Sequence, residues 1–167
     1  MFNRDTINNK LWSSFLILTN NFNHYNHYTQ NHNNNNHSIL LVDDENDILN
    51  LFCDCLQNFG YETIPFINPI DALNYINSSN FSNCSLIITD YKMHQMTGLE
   101  FIKKVREKDT TFKLKILLIS AFIKSDIIVN DISNSLRIDK IIEKPIHLEK
   151  LIEEVQKLTT GINYIAT

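Results

Sequence analysis

Five short apolar segments alternate with amphipathic segments between residues 38 and 160, and this alternation restricts the possible folds more than any other feature. The five strand candidates are residues 39–42, 62–66, 86–89, 115–120 and 140–143. The first, third and fourth are apolar enough to be buried on both faces of a sheet. Strands that alternate with helices are joined by right-handed crossovers and form a parallel sheet. The pattern therefore predicts an α/β fold, a (βα)5 doubly wound parallel sheet.

The segments between and after the strands have helical periodicity. Between the first two strands, apolar residues from Ile48 to Phe59 share one helical face, and Gly60 follows where a left-handed cap is expected. Asn68 and Pro69 predict the cap and first turn of a second helix. Three further apolar stripes predict helices around Leu99, Ile102 and Val105, around Ile127, Ile128 and Ile132, and from Leu148 to Leu158.

The first 37 residues differ in composition from the rest of the chain. They contain 12 asparagines, four of the six histidines and three charged residues. This composition predicts a disordered N-terminal arm over residues 1–37, a domain over 38–160 and a short tail over 161–167. Two specific roles for the arm stay open: weak metal binding by His24, His27, His32 and His37, and docking by a short helix around Trp12, Phe15, Leu16 and Leu18. Polar filler and loose packing are favoured over both.

Charge and cysteine content restrict the environment and the partners. The formal net charge of the 167 residues is −4, which does not favour direct binding of nucleic acid. The longest apolar run in the arm has eight residues, whereas a membrane span needs roughly 20. Cys53, Cys55 and Cys84 lack metal-site spacing and are predicted to be reduced, mostly buried thiols. We therefore expect a cytoplasmic protein without a membrane span.

Polar side chains follow four of the five predicted strands. Asp43 and Asp44 come after the first strand, Asp90 after the third, Ser120 ends the fourth, and Lys144 follows the fifth. Each has an ordinary structural explanation as a helix cap or a turn residue, but their coincidence at one edge of the sheet favours a functional site. Carboxylates this close would repel one another and raise their own pKa values.

A divalent cation would relieve that repulsion. Mg²⁺ takes one or two carboxylates and keeps open positions for phosphate oxygens, and Lys144 would add a fixed positive charge. Carboxylate, metal, lysine and hydroxyl together are the groups needed to move a phosphoryl group, where catalysis is mostly positioning and charge neutralisation.

Four separated motifs carry a resemblance to a known family. They are Leu-Leu-Val-Asp-Asp-Glu at residues 40–45, Asp-Tyr-Lys-Met-His-Gln-Met-Thr-Gly-Leu-Glu at 90–100, Ser-Ala at 120–121 and Lys-Pro at 144–145. In order and separation they resemble the signatures of the response-regulator receiver domain, over residues 38 to about 160. The resemblance implies a flavodoxin-like sheet with strand order 2-1-3-4-5. No output domain is visible, so the chain is similar to a stand-alone, chemotaxis-receiver-like response regulator of a two-component phosphorelay.

The resemblance implies specific roles at the site. Asp90 would be the phosphoacceptor, taking a phosphoryl group from a sensor histidine kinase or a histidine phosphotransfer protein. Asp44 and Asp90 would bind Mg²⁺ together with the backbone carbonyl of Lys92, and Asp43 would act on the metal mainly through water.

Two further residues complete the implied site. Lys144 would bind the phosphoryl oxygens, and its peptide bond to Pro145 is expected to be cis. Ser120 would be the switch hydroxyl that moves toward the new phosphoryl group. The output would be an unknown downstream protein, reached either as a binding switch or through a phosphoryl relay, and the sequence does not separate these two.

Three positions bear on how the domain would switch. His94 stands where many receivers have proline, and we expect a solvent-facing side chain there rather than a role in proton transfer. Ile141 stands where an aromatic residue usually reports the switch, which puts the usual coupling of Ser120 to the adjoining face in doubt. Phe122 is expected to shield the acyl phosphate from water, and this predicts slow dephosphorylation.

Two other classes of protein were weighed. A non-phosphorylated pseudo-receiver that acts only as a binding module is favoured slightly by His94 and Ile141, but the complete set of acidic residues, acceptor and lysine argues against it. A phosphatase of the haloacid dehalogenase type would need a second aspartate two residues after Asp43, where Glu45 stands. We therefore expect a signalling domain that catalyses only its own phosphorylation and dephosphorylation, and not an enzyme in the usual sense.

Overall fold

The computed structural model describes residues 38–79, 81, 83–109, 111, 113–121 and 134–160. In these ranges the element order is β1 Ser38–Val42, α1 Asn46–Asn58, β2 Glu62–Phe66, α2 Pro69–Ile76, β3 Cys84–Asp90, α3 Gly98–Lys108, β4 Lys115–Ser120, β5 Lys140–Glu143 and α4 Leu148–Thr160. All five predicted strands are confirmed, although β3 is longer at both ends than predicted. The arm, the tail, Phe122 and the helix predicted around Ile127 lie outside the described residues.

The five strands form one parallel sheet with the order β2-β1-β3-β4-β5. The three inner strands are the ones whose sequences are most apolar, and β1 is buried along its whole length. The two edge strands, β2 and β5, are partly exposed. Pro65 lies in β2, where its missing N–H costs least because one side of an edge strand needs no partner.

Side chains that alternate along the strands form two cores, one on each face of the sheet. Ile39, Leu41, Ile88 and Leu117 pack with buried residues of α1 and α4, while Leu40, Ile87 and Leu118 pack with residues of α2 and α3. This follows from the two-residue period of a strand, which sends neighbouring side chains to opposite faces. No helix within the described ranges is long and apolar enough to cross a lipid bilayer.

The ends of three helices are capped by residues that lie next to them in the sequence. Asn68 Oδ1 accepts a hydrogen bond of 2.8 Å from the N–H of Ile70, as its position before Pro69 predicts. Gly60 has a φ of 84° after α1, which confirms the expected left-handed residue. Thr97 and Glu100 form a capping box at the start of α3. Helix α3 therefore begins at a defined point, eight residues after Asp90.

A buried ion pair supports the far end of α3. Arg106 and Asp109 are 8% and 9% exposed, and Arg106 Nη1 lies 2.7 Å from Asp109 Oδ2. The guanidinium also donates to the carbonyls of Leu114, Leu136 and Arg137 at 2.8, 3.0 and 2.8 Å. One side chain thereby joins the end of α3 to the segments that lead into β4 and β5.

Candidate functional site

The carboxyl ends of β1, β3, β4 and β5 bring the predicted site residues to one edge of the sheet. Val42 pairs with Thr89, so Asp43 and Asp90 follow neighbouring positions of adjacent strands. Asp90 pairs with Ile119, and Ser120 pairs with Glu143, the residue before Lys144. The shared register places the acidic residues, the serine and the lysine on one rim.

Asp90 and Lys144 form an ion pair at this rim. Lys144 Nζ lies 2.7 Å from Asp90 Oδ1, and the other carboxylate oxygen, Oδ2, accepts a hydrogen bond of 2.8 Å from the N–H of Lys92. Asp90 is 4% exposed, whereas the Lys144 side chain is 26% exposed. The lysine therefore covers a nearly buried carboxylate and can still be reached from solvent.

The electrostatics of Lys144 follow from this geometry. Burial lowers the pKa of its ammonium, but the hydrogen bond and negative charge of Asp90, with a further contribution from Asp43, outweigh burial, so the pKa is raised above its ordinary value. Lys144 is accordingly a permanent positive charge beside the carboxylates.

Asp43 is a buried acid whose pKa is raised well above its ordinary value. It is 3% exposed, its Oδ1 accepts a hydrogen bond of 2.8 Å from the N–H of Glu45, and its Oδ2 has no hydrogen-bond partner among the described residues. Burial raises its pKa from the ordinary 3.8 to about 7; the N–H of Glu45 and Lys144 oppose the rise, and Asp90 adds to it. The expected rise is found at Asp43, but its main cause is desolvation and not the predicted repulsion between carboxylates.

Asp44 makes a contact that the sequence reasoning missed. Its Oδ2 accepts a hydrogen bond of 2.9 Å from the N–H of His94 and also contacts Nδ1 of the same residue. The imidazole is 92% exposed, as expected, but it is not simply a solvent-facing side chain, because it lies against Asp44. The sequence signal that could have indicated the contact between His94 and Asp44 is the position of His94, four residues after Asp90.

The loop after β3 is held close to the sheet. Tyr91 N–H donates to Ile119 O at 2.7 Å, and Gly98 N–H donates to Tyr91 O at 2.8 Å. A Cβ on Gly98 would collide with the carbonyl oxygen of Asp90 and lie 3.0 Å from Leu118 Cδ1. The close approach requires glycine at position 98, and it ties the start of α3 to the backbone of Asp90.

Ser120 ends β4, at the same edge of the sheet as Lys144. Ser120 is 6% exposed, its carbonyl accepts a hydrogen bond of 2.8 Å from the N–H of Lys144, and the Lys144–Pro145 peptide bond is cis, as expected. Ile141 is half-buried and packs against the core on the α2 and α3 side of the sheet. Its short aliphatic side chain contributes to that core in place of an aromatic ring.

The three cysteines are not part of this rim. Cys53 and Cys55 are buried in α1, and Cys84 is half-buried at the start of β3. Burial raises the thiol pKa of Cys55 to about 12 and that of Cys84 to about 11. Such thiols stay protonated near neutral pH and are poor nucleophiles.

The rim fits Mg²⁺ better than it fits a closed transition-metal site. Among the described residues, no three acidic, histidine or cysteine side chains are grouped tightly enough to form a complete metal cage. Mg²⁺ does not need one, since it commonly binds through one or two carboxylates and keeps several waters. The buried, unpartnered Oδ2 of Asp43 is the observation that calls for a cation here.

Comparisons with known proteins agree with this geometry. The sequence model of the response regulator receiver domain matches residues 39–156. The response regulator receiver protein CpdR of Brucella abortus is 32% identical over 120 residues, which cover 72% of this chain and 94% of CpdR. The chemotaxis protein CheY of Pseudomonas aeruginosa is 26% identical over 126 residues, which cover 75% of this chain and 98% of CheY.

A solved structure shares the fold and carries a ligand. The response regulator TrrA of Thermotoga maritima, in complex with Mg²⁺-BeF, superposes with a TM-score of 0.60 at 32% identity and covers 73% of this chain and 98% of its own. The family match, the parallel sheet with order 2-1-3-4-5 and the acidic rim beside a lysine agree with one another. The chain therefore belongs to the response regulator receiver family, the signalling domains of two-component systems.

Proposed function

We propose that the chain is a phosphoacceptor receiver in which Asp90 takes a phosphoryl group from a phosphohistidine. The observation that carries the proposal is the Asp90–Lys144 pair, 2.7 Å apart, beside the buried and unpartnered oxygen of Asp43. A carboxylate, a fixed cation and an oxygen that lacks a partner are the groups that a phosphoryl transfer with a divalent metal uses. We also propose residues 38–160 as the receiver, 1–37 as an arm and 161–167 as a tail.

In the proposed reaction an oxygen of the Asp90 carboxylate attacks phosphorus. The phosphorus–nitrogen bond of the phosphohistidine breaks, the imidazole leaves and takes up a proton, and Asp90 becomes an acyl phosphate. Lys144 Nζ, already 2.7 Å from Asp90 Oδ1, binds the incoming phosphoryl oxygens. The N–H of Lys92 holds Asp90 Oδ2, so the attacking carboxylate is oriented before the donor arrives.

The metal site is proposed from the same residues. Asp43, Asp44 and Asp90, with the backbone carbonyl of Lys92, would hold Mg²⁺. When bound, the ion supplies positive charge to the phosphoryl oxygens in the transition state. Binding of Mg²⁺-BeF by TrrA, which is 32% identical, supports this assignment.

Ser120 is proposed as the switch hydroxyl, because it ends β4 beside the residue that precedes Lys144.

A sensor histidine kinase or a histidine phosphotransfer protein would supply the phosphoryl group. The output would be contact with another protein or onward relay, without direct contact to nucleic acid. The free thiols of Cys53, Cys55 and Cys84 support a cytoplasmic location.

The test is phosphorylation by a small donor. The purified chain is incubated with Mg²⁺ and acetyl phosphate, and intact mass is measured over time. One added phosphoryl group is expected, and Asp90→Asn should abolish it. Asp47→Asn, an exposed aspartate in the first turn of α1, is the matched control and should be modified like the parent. No mass gain with any small donor in Mg²⁺ would contradict the proposal and favour a binding module that does not use phosphorylation.

A further inference from the structure

Residue 94 makes two contacts with one oxygen of Asp44. The backbone N–H of His94 donates to Asp44 Oδ2 at 2.9 Å, and the ring nitrogen Nδ1 contacts the same atom. The two residues are 50 positions apart in the chain, in the loops that follow β3 and β1. A proline at position 94 would have neither an N–H nor a ring nitrogen to offer. The ring contact therefore depends on histidine, whereas the N–H contact needs only a residue other than proline.

The contact places a nitrogen donor beside a proposed metal ligand. The imidazole is 92% exposed and the Asp44 side chain 14%, so the ring lies over the carboxylate from the solvent side. No packed neighbour has to move for the ring to turn its nitrogen toward an ion at the carboxylate. The buried Asp43 Oδ2, which lacks a hydrogen-bond partner within the described ranges, is an independent sign that a cation is accommodated at this rim.

Donor type determines which divalent ions a site prefers. Carboxylate, carbonyl and water oxygens suit Mg²⁺, whereas an imidazole nitrogen adds affinity for Co²⁺, Ni²⁺ and Zn²⁺. Since the remaining positions of such an ion can be filled by water and a phosphoryl donor, a single protein nitrogen is enough to alter the preference.

We propose that His94 is a metal-specificity residue that supplies a nitrogen ligand to the ion at Asp44. The site then binds Co²⁺ and similar borderline ions more tightly, relative to Mg²⁺, than the same site would without this nitrogen. This inference rests on the proposed function only in taking Asp44 as a ligand of the metal. It concerns which ion is bound and not whether Asp90 is phosphorylated.

The experiment compares two ions in matched variants of the full chain. His24, His27, His32 and His37 are first replaced by glutamine, so that histidines of residues 1–37 do not contribute to Co²⁺ binding. Dissociation constants for Co²⁺ and Mg²⁺ are then measured by isothermal titration calorimetry at one fixed pH. His94→Ala is compared with His147→Ala, an exposed histidine before α4, and thermal melting followed by circular dichroism checks that each variant is folded.

The expected result is a change in selectivity. His94→Ala should lower the ratio of the Mg²⁺ constant to the Co²⁺ constant by about tenfold or more, and His147→Ala should leave that ratio unchanged. The visible absorption of bound Co²⁺ should also shift in His94→Ala, because one nitrogen ligand is replaced by oxygen.

Two outcomes would overturn the assignment: a ratio that His94→Ala does not alter, or a Co²⁺ spectrum identical in the two variants. Mg²⁺-dependent phosphoryl uptake by the parent chain tests the proposed function separately. An intact uptake with an unchanged ratio rejects only the role of His94, whereas no uptake with a lowered ratio rejects only the phosphoacceptor.

Discussion

Asp43 should make the metal-free domain less stable as the pH rises. Burial raises the pKa of Asp43 to about 7 in the folded domain, whereas the ordinary value of 3.8 applies to the unfolded chain. The folded state therefore binds this proton more tightly than the unfolded state does. The contribution is fully present below about pH 4 and is lost as the pH rises through 7. Replacing the carboxylate by a group that cannot ionise should remove this dependence.

The magnitude follows from the size of the shift. A difference of about three pKa units corresponds to about 4 kcal/mol between strongly acidic and mildly alkaline conditions, at about 1.4 kcal/mol per unit. Roughly 2–3 kcal/mol of this falls between pH 5 and pH 8. A domain is typically stable by only about 5–15 kcal/mol, so the effect is large enough to measure.

The test compares the parent chain with Asp43→Asn. Asparagine keeps the shape and can keep the acceptor that the Glu45 N–H uses, but it has no charge to desolvate. Urea unfolding is followed by far-ultraviolet circular dichroism at several pH values between 5 and 8 with a metal chelator present. The free energy of unfolding of Asp43→Asn minus that of the parent should increase by roughly 2–3 kcal/mol across this range. Asp47→Asn, an exposed aspartate in the first turn of α1, should show no such trend relative to the parent.

Mg²⁺ provides the second arm of the test. A cation that binds only the folded state stabilises it by mass action, and ionised Asp43 is needed to hold it. Adding Mg²⁺ at pH 8 should therefore stabilise the parent more than Asp43→Asn. A difference in unfolding free energy that stays constant within about 0.5 kcal/mol from pH 5 to pH 8 would refute the desolvation argument.

Three further predictions test other parts of the structure. Gly98→Ala should cost about 1–3 kcal/mol of stability, seen as a lower Tm, because its Cβ would collide with the carbonyl oxygen of Asp90; an unchanged Tm would contradict the close approach. Arg106→Met should cost about 3–5 kcal/mol in urea unfolding, because the buried Asp109 carboxylate loses its cation and three carbonyls lose their donor. Lys115→Met, which removes an exposed ion pair, should cost less than about 1 kcal/mol. Lys144→Met removes the cation beside the carboxylates, so it should tighten Mg²⁺ binding in calorimetry by about tenfold or more. It should also slow the uptake of a phosphoryl group from acetyl phosphate. Weaker Mg²⁺ binding would contradict the electrostatic argument.

The main elements of the fold were predictable because they depend on local periodicity. Asn68 before Pro69 and Gly60 after an apolar helical stripe indicate helix boundaries through interactions within a few residues, and the structure confirms both. The inner strands were recognisable because burial on both faces demands apolar residues at every position. The edge positions of β2 and β5 were implied by the family resemblance and not by their own sequences.

Two features of the structure were not predictable in this way. Arg106 and Asp109 appear in the sequence as surface charges near a helix end, yet they are nearly buried and join three segments. His94 was expected to face solvent, and its contact with Asp44 spans 50 positions. The bonds of Arg106 to Leu114 and Leu136, and the contact of His94 with Asp44, join residues on different segments, for which the sequence around either residue holds no signal.

The sequence by itself determined that polar groups follow four strands, because strand ends and residue types are local properties. Only the tertiary structure decided how unequal those groups are. Asp43 is 3% exposed and titrates near 7, Asp90 is paired with Lys144, and Asp44 is held by His94. The physical reason is that desolvation and ion pairing depend on what surrounds a carboxylate in space, and those neighbours come from other strands and loops.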